Sequence, residues 1–157
     1  MFPKEVFPLD NPFLKYIGVE FVEMGEGTAT LQLDLQPHHM NSGQVTHGGV
    51  TMTMLDVVMA LAGRTLNPQA STAVTVEMKT SFLQPGGRIG GHLVAKGKAF
   101  HRSATMCFCE AELWNDEKLV AKSLGTFKYL KNITNDRKVL REFGIRLIAP
   151  RKNKSTD

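Results

Sequence analysis

The stretch Asn41-x5-His47-Gly48-Gly49-x6-Asp56 places an amide, an imidazole, two glycines and a carboxylate in short order. Such a set suits attack on a carbonyl. Asp56 falls inside an apolar run, with Met52, Met59 and Ala60 as neighbours on one helical face. An ionised carboxylate is expensive to bury without a partner. It is seldom enclosed unless paired or functional. Asp56 is therefore salt-bridged, turned to a solvent gap, or a working base or nucleophile. No basic residue stands at helical spacing before it, and Arg64 follows two turns later, so the functional reading is preferred.

Gly48 and Gly49 let another group approach the backbone closely. Free N–H groups at a helix start, with the helix dipole, favour negative charge and can form an oxyanion site. The plainer alternative is a tight turn that needs glycine. His47 taken alone is a hydrogen-bonded structural group more often than a base. Asn41 taken alone is a turn residue, or it orients a water. Gly48 and Asp56 are eight residues apart, which on one helix is roughly 12 Å. One carbonyl cannot touch both. If both act on one substrate they come from different subunits, with two helices antiparallel across a two-fold axis.

The elements that must hold these residues follow from periodicity. Three prolines in residues 1–15 suggest a short lead-in with one helical turn around Asn11–Tyr16. Gly18–Met24 and Thr28–Gln36 read as strands around a Gly25–Glu26–Gly27 turn. A polar loop precedes Gly49–Arg64, which is apolar almost all round and rich in helix formers; Thr46 or His47 can start it, and Gly63 and Arg64 suit its end. Thr72–Phe82 alternates, with Val74, Val76, Met78 and Phe82 opposed to Thr75, Glu77 and Lys79. Ile89–Phe100, Ser103–Trp114 and Lys118–Leu130 read as long strands, the last two joined by a hairpin at Asn115–Glu117. Strands around one helix give an α+β architecture, with the sheet curling over the helix. The far side of that helix stays partly bare, so at least a homodimer is expected.

Composition agrees with one domain. The 157 residues are 42% hydrophobic and 22% charged, ordinary for a globular chain. No run approaches the roughly 18–20 apolar residues of a membrane span. MFPKEVFPLD lacks the pattern of a secretory signal, so a cytoplasmic location is expected. Cys107 and Cys109, two apart in a strand, are read as reduced; a CxC metal site has no obvious further ligands. The net charge of +4 is uneven: residues 131–157 hold eight Lys/Arg and three acids, hence +5, leaving −1 for residues 1–130. The basic tail, with a short amphipathic stretch at Val139, Leu140 and Phe143, is set apart from the 1–130 domain as a 131–157 extension.

The Asn41…His47-Gly48-Gly49…Asp56 constellation, on a long helix followed by four strands, resembles the hotdog-fold acyl-CoA thioesterases, in particular the phenylacetyl-CoA (PaaI-like) branch. Val74-Thr75-Val76-Glu77-Met78 and Phe82-Leu83-Gln84-Pro85 share in the likeness, which covers roughly residues 15–130. The resemblance implies a curved antiparallel sheet around a central helix, a dimer with a continuous sheet, often paired into a tetramer, and thioester hydrolysis without metal or cofactor. It implies that Gly48, beside Gly49, donates its N–H to the thioester carbonyl. Asp56 of the partner chain would act as base or nucleophile. Asn41 would place the water or thioester, and His47 would support the loop. Thr75 falls where a relative has a serine that positions the water. For the coenzyme A phosphates, Lys96, Lys98 and Arg102 are candidates, each with a solvated strand edge as the plainer reading.

Three other readings compete. A non-catalytic acyl-CoA-binding module has little reason to keep a costly carboxylate at Asp56. A hotdog dehydratase arranges its His and acid differently. Nucleic-acid binding through the tail would use its eight basic residues, but no stacking aromatics are interleaved with them. Neither nucleic acid nor a membrane is an expected partner. Met40, Met52, Met54 and Met59 suggest an adaptable apolar pocket without fixing the acyl group.

Overall fold

The computed structural model describes residues 11–70 and 72–131. In chain order these form α1 (Pro12–Ile17), β1 (Glu20–Gly25), β2 (Thr28–Asp34), a 3-10 turn (Pro37–His39), α2 (Gly48–Thr65), β3 (Thr72–Phe82), β4 (His92–Arg102), β5 (Met106–Asn115) and β6 (Lys118–Leu130). The six strands make one antiparallel sheet in the order β1-β2-β4-β5-β6-β3, against which α2 packs. This is the α+β architecture expected from periodicity. The tail stretch at Val139, Leu140 and Phe143 lies outside the described residues.

The β1–β2 turn uses Glu26 and Gly27, both with positive φ, the geometry that matches strand twist in a two-residue hairpin. The Gly27 N–H donates to the Thr65 hydroxyl at 2.7 Å, which ties this turn to the end of α2. Met54, Leu55, Val58, Met59 and Ala62 on α2 are fully buried against Leu31, Leu33, Leu93, Leu113 and Phe127 of the sheet.

Glycine sets how closely helix and sheet approach. A Cβ at Gly97 on β4 would stand 2.6 Å from the Val58 carbonyl oxygen of α2. A Cβ at Gly63 would collide with the Cys107 sulfur. Gly63 therefore does not end the helix, as its residue type suggested. It lies inside α2, where backbone must touch the strand bearing Cys107 and Cys109, both fully buried and unbridged.

The strand after the helix departs from simple alternation. Thr75 pairs with Phe127 and Glu77 with Thr126, leaving Val76 as an extra residue in a bulge. Residues directly opposite on neighbouring strands share a face, and Phe127 and Gly125 are buried. The inner set of β3 is thus Ala73, Thr75, Met78, Thr80 and Phe82. Val74 and Val76, grouped on one face with Met78 and Phe82 by unbroken alternation, are instead on the other, 39% and 56% exposed. The bulge turns Thr75 inward instead. β4 also begins later than expected: Ile89 lies in the preceding loop, where Gly90 and Gly91 exchange backbone hydrogen bonds with Leu35.

Candidate active site

Helix α2 is helical through its strong formers and its cap. His47 is the N-cap, its Nδ1 accepting the Gly49 N–H at 2.9 Å. That bond places the imidazole proton on Nε2 and commits the ring to the cap. The neighbouring Gly48 N–H meets no acceptor among the described residues. Of the two glycine donors, only Gly48 is left to hold an incoming negative charge.

The loop before the cap is held by its own polar groups. Asn41 Oδ1 accepts the N–H of Gly43 at 2.8 Å and of Val45 at 3.3 Å. Asn41 is therefore a turn-former, and with its oxygen so engaged its Nδ2 is a donor. His39, 1% exposed, spans the loop base: Nδ1 accepts the Gln36 N–H at 2.9 Å, and Nε2 donates to the Ile17 carbonyl at 2.8 Å. Its backbone carbonyl accepts the His47 N–H at 2.8 Å. Burial lowers its pKa below the ordinary histidine value; the Ile17 carbonyl offsets part of this, and neighbouring His38 adds to it. Thr46 does not cap the helix. Its N–H donates to the Gly87 carbonyl at 2.9 Å and its hydroxyl to that of Gly86 at 3.0 Å.

Asp56 sits on the flank of α2 turned away from the buried face. With Gly49, Thr53 and Ala60 it forms a stripe at helical spacing that is exposed or half-buried in the single chain. Asp56 is thus half-buried rather than enclosed. Its Oδ1 accepts the Thr75 hydroxyl at 2.6 Å. The β3 bulge brings these two together, a pairing that simple alternation had set apart.

The basic candidates are dispersed. Gly97 faces Val58 of α2, so Lys96 and Lys98 project from the opposite sheet face. There they stand across from Glu112 and Glu110 of β5. Glu112 also takes the Lys122 ammonium at 2.7 Å, which holds its carboxyl below the usual carboxylate range. Neither lysine shares a face with Gly48 or Asp56. Arg102 is opposite Cys107, hence on the helix side, but beside the end of α2 remote from Gly48. Among the described residues no three His, Cys, Asp or Glu side chains are grouped to hold a metal ion.

His39, Thr46 and Phe82 carry roles that residue type did not announce. The Phe82 ring lies 3.5 Å from where a Gly48 Cβ would stand. Its signals were membership of the alternating set and a place in the Phe82-Leu83-Gln84-Pro85 segment of the family likeness.

Residues 43–122 match the family model of the thioesterase superfamily. Among curated proteins, a Saccharolobus solfataricus protein provisionally named an esterase is 30% identical over 82% of this chain and 90% of its own length. Human acyl-coenzyme A thioesterase 13 is 21% identical over 74% of this chain and 81% of its own length. Among solved structures, a conserved protein of Pseudomonas aeruginosa superposes with a TM-score of 0.73 at 29% identity, covering 81% of this chain and 98% of that one. The Escherichia coli PaaI protein from the phenylacetic acid degradation operon gives 0.70 at 26% identity, over 78% and 86% of the two chains.

Proposed function

The chain belongs to the thioesterase superfamily, with the hotdog fold and a PaaI-like likeness, and from that premise we propose that it hydrolyses an acyl-CoA thioester to the free acid and coenzyme A. The observation that carries this reading is the Gly48 N–H, without an acceptor among the described residues at a helix start, on a helix whose flank also presents Asp56. The separation along one helix, roughly 12 Å, requires that the donor and the carboxylate meeting one carbonyl come from two copies.

In this mechanism the Gly48 N–H, at the positive end of α2, stabilises the oxyanion as the carbonyl becomes tetrahedral. The Asn41 amide nitrogen supplies a second donor. Asp56 of the partner copy, aligned by the Thr75 hydroxyl of that copy, takes a proton from water as water attacks. It returns the proton to the departing thiolate as the C–S bond breaks. Attack by the carboxylate itself, through an anhydride that water then opens, uses the same groups. His47 holds the cap and does not transfer protons.

The sheet supports a dimer. β3 is an edge strand of 11 residues, with Val74 and Val76 exposed upon it. A long edge that no described strand pairs, with exposed apolar side chains upon it, invites pairing. Two copies joined antiparallel along β3 continue the sheet and set their α2 helices side by side, and two such dimers make a tetramer. The buried, unbridged cysteines fit the reducing cytoplasm; no helix among the described residues is long and apolar enough to cross a membrane.

Thiol release from a panel of acyl-CoA thioesters tests the reading. Asp56→Asn should lower turnover by at least about 100-fold with an unchanged circular dichroism spectrum. Native-like turnover in that variant contradicts the mechanism. Tight acyl-CoA binding without thiol release by the native protein would identify a binding module instead.

A further inference from the structure

We propose that the Phe82 ring is the wall against which the acyl carbons nearest the thioester carbonyl pack, so that Phe82 sets which acyl groups are accepted. This rests on the reading of Gly48 as the donor to that carbonyl.

Phe82 closes β3 opposite Ala121, which is fully buried, so its side chain points to the helix face of the sheet. Two of its ring carbons would lie 3.5 and 3.6 Å from a Cβ placed on Gly48. The ring thus borders the residue whose N–H would hold the carbonyl oxygen. Despite facing inward, Phe82 is 55% exposed. The chain supplies it with a firm base and leaves its outer part uncovered.

The surroundings select the apolar part of the substrate. The N–H groups of Leu83 and Gln84 both donate to the Val120 carbonyl, at 2.8 and 3.2 Å. They fix the chain immediately after the ring and leave no backbone donor there for the amides of a pantetheine arm. Leu83, next after Phe82, is likewise exposed, at 52%. The next residues are pinned in turn, since Gly86 and Gly87 accept hydrogen bonds from Thr46, two residues before Gly48. The ring and the donor amide thus belong to one braced unit. A hydrocarbon chain gains from such a wall in proportion to the area it covers. An acetyl group is too short to gain much.

The test is kcat/KM for hexanoyl-CoA and acetyl-CoA in the native protein, Phe82→Ala and Phe82→Trp. Removing the wall should lower the hexanoyl-to-acetyl ratio about tenfold or more, the scale on which an apolar pocket discriminates. The larger indole should also lower it, by crowding the longer chain. Phe82→Trp keeps the strand end apolar and filled, so it carries the test should Phe82→Ala fail to fold. An unchanged ratio in the folded variants, or an equal loss on both substrates, overturns the assignment. A native protein that releases no thiol from any acyl-CoA overturns the underlying reading of the site, whereas an active native protein with an insensitive ratio overturns only the role of Phe82.

Discussion

The Thr75 hydroxyl donates to Asp56 Oδ1 at 2.6 Å, and a hydrogen bond to a charged acceptor is roughly twice as strong as one between neutral groups. In the proposed mechanism Thr75 fixes the direction of the carboxylate rather than reacting itself. Thr75→Val keeps the shape and removes the donor. It should lower kcat about 10- to 100-fold, the equivalent of about 1.5–3 kcal/mol, with KM little changed. Thr75→Ser should stay near native. Steady-state kinetics on one good acyl-CoA substrate decide this, and a Thr75→Val protein with native kcat would remove the hydroxyl from the account. Asp56 was conspicuous in the sequence because a carboxylate in an apolar run has few benign explanations. Its contact with Thr75 was not readable from alternation, because the extra residue Val76 shifts the strand by one. Only the family likeness pointed to Thr75. Lys96 and Lys98 show the converse: their charge suggested phosphate binding, yet register places them opposite Glu112 and Glu110 on the other face of the sheet.

At the level of elements, the loop that presents Asn41 and the His47 cap depends on His39. Its two ring nitrogens join Gln36 to Ile17, and its carbonyl receives the His47 N–H. The folded pKa is lowered chiefly by burial, whereas the unfolded histidine titrates near about 6.5. Below that pH the unfolded chain takes up the proton more readily than the folded one. The stabilisation is therefore full above about 6.5 and declines as pH falls toward the lowered folded value. Thermal melts from pH 8 to pH 5 should show native stability falling more steeply than that of His39→Gln, with the gap between them narrowing in acid. Parallel slopes would contradict this. The helix and strands were legible because periods of 3.6 and 2 report which faces are buried. The helix end was legible to within one residue, Arg64 against Thr65, but the role of Gly63 was not: it is required by contact with Cys107, and such a contact across the fold leaves no local pattern. His39 was equally silent, being a ring buried in a loop whose composition reads as exposed.

For the whole molecule, the proposed mechanism gives one chain half of each site. The stripe of Gly49, Thr53, Asp56 and Ala60 on α2 is left partly bare, and among the described residues no strand pairs with the β3 edge beside it. Both features call for a second copy in the same place. Spacing points the same way if Gly48 and Asp56 serve one substrate, since eight residues of helix separate the donor from the carboxylate. Two damaged proteins can therefore repair one another. Asp56→Asn removes the carboxylate. Gly48→Pro removes the N–H at a first helical position, where proline is tolerated, and His47 before it already has the extended backbone that proline demands. The decisive measurement is thiol release after the two inactive variants are unfolded together in equal amounts and refolded. Random pairing makes half the dimers mixed, each with one intact and one doubly damaged site, so about a quarter of native activity should return. Activity that stays at the mean of the two parents would contradict a site shared between subunits.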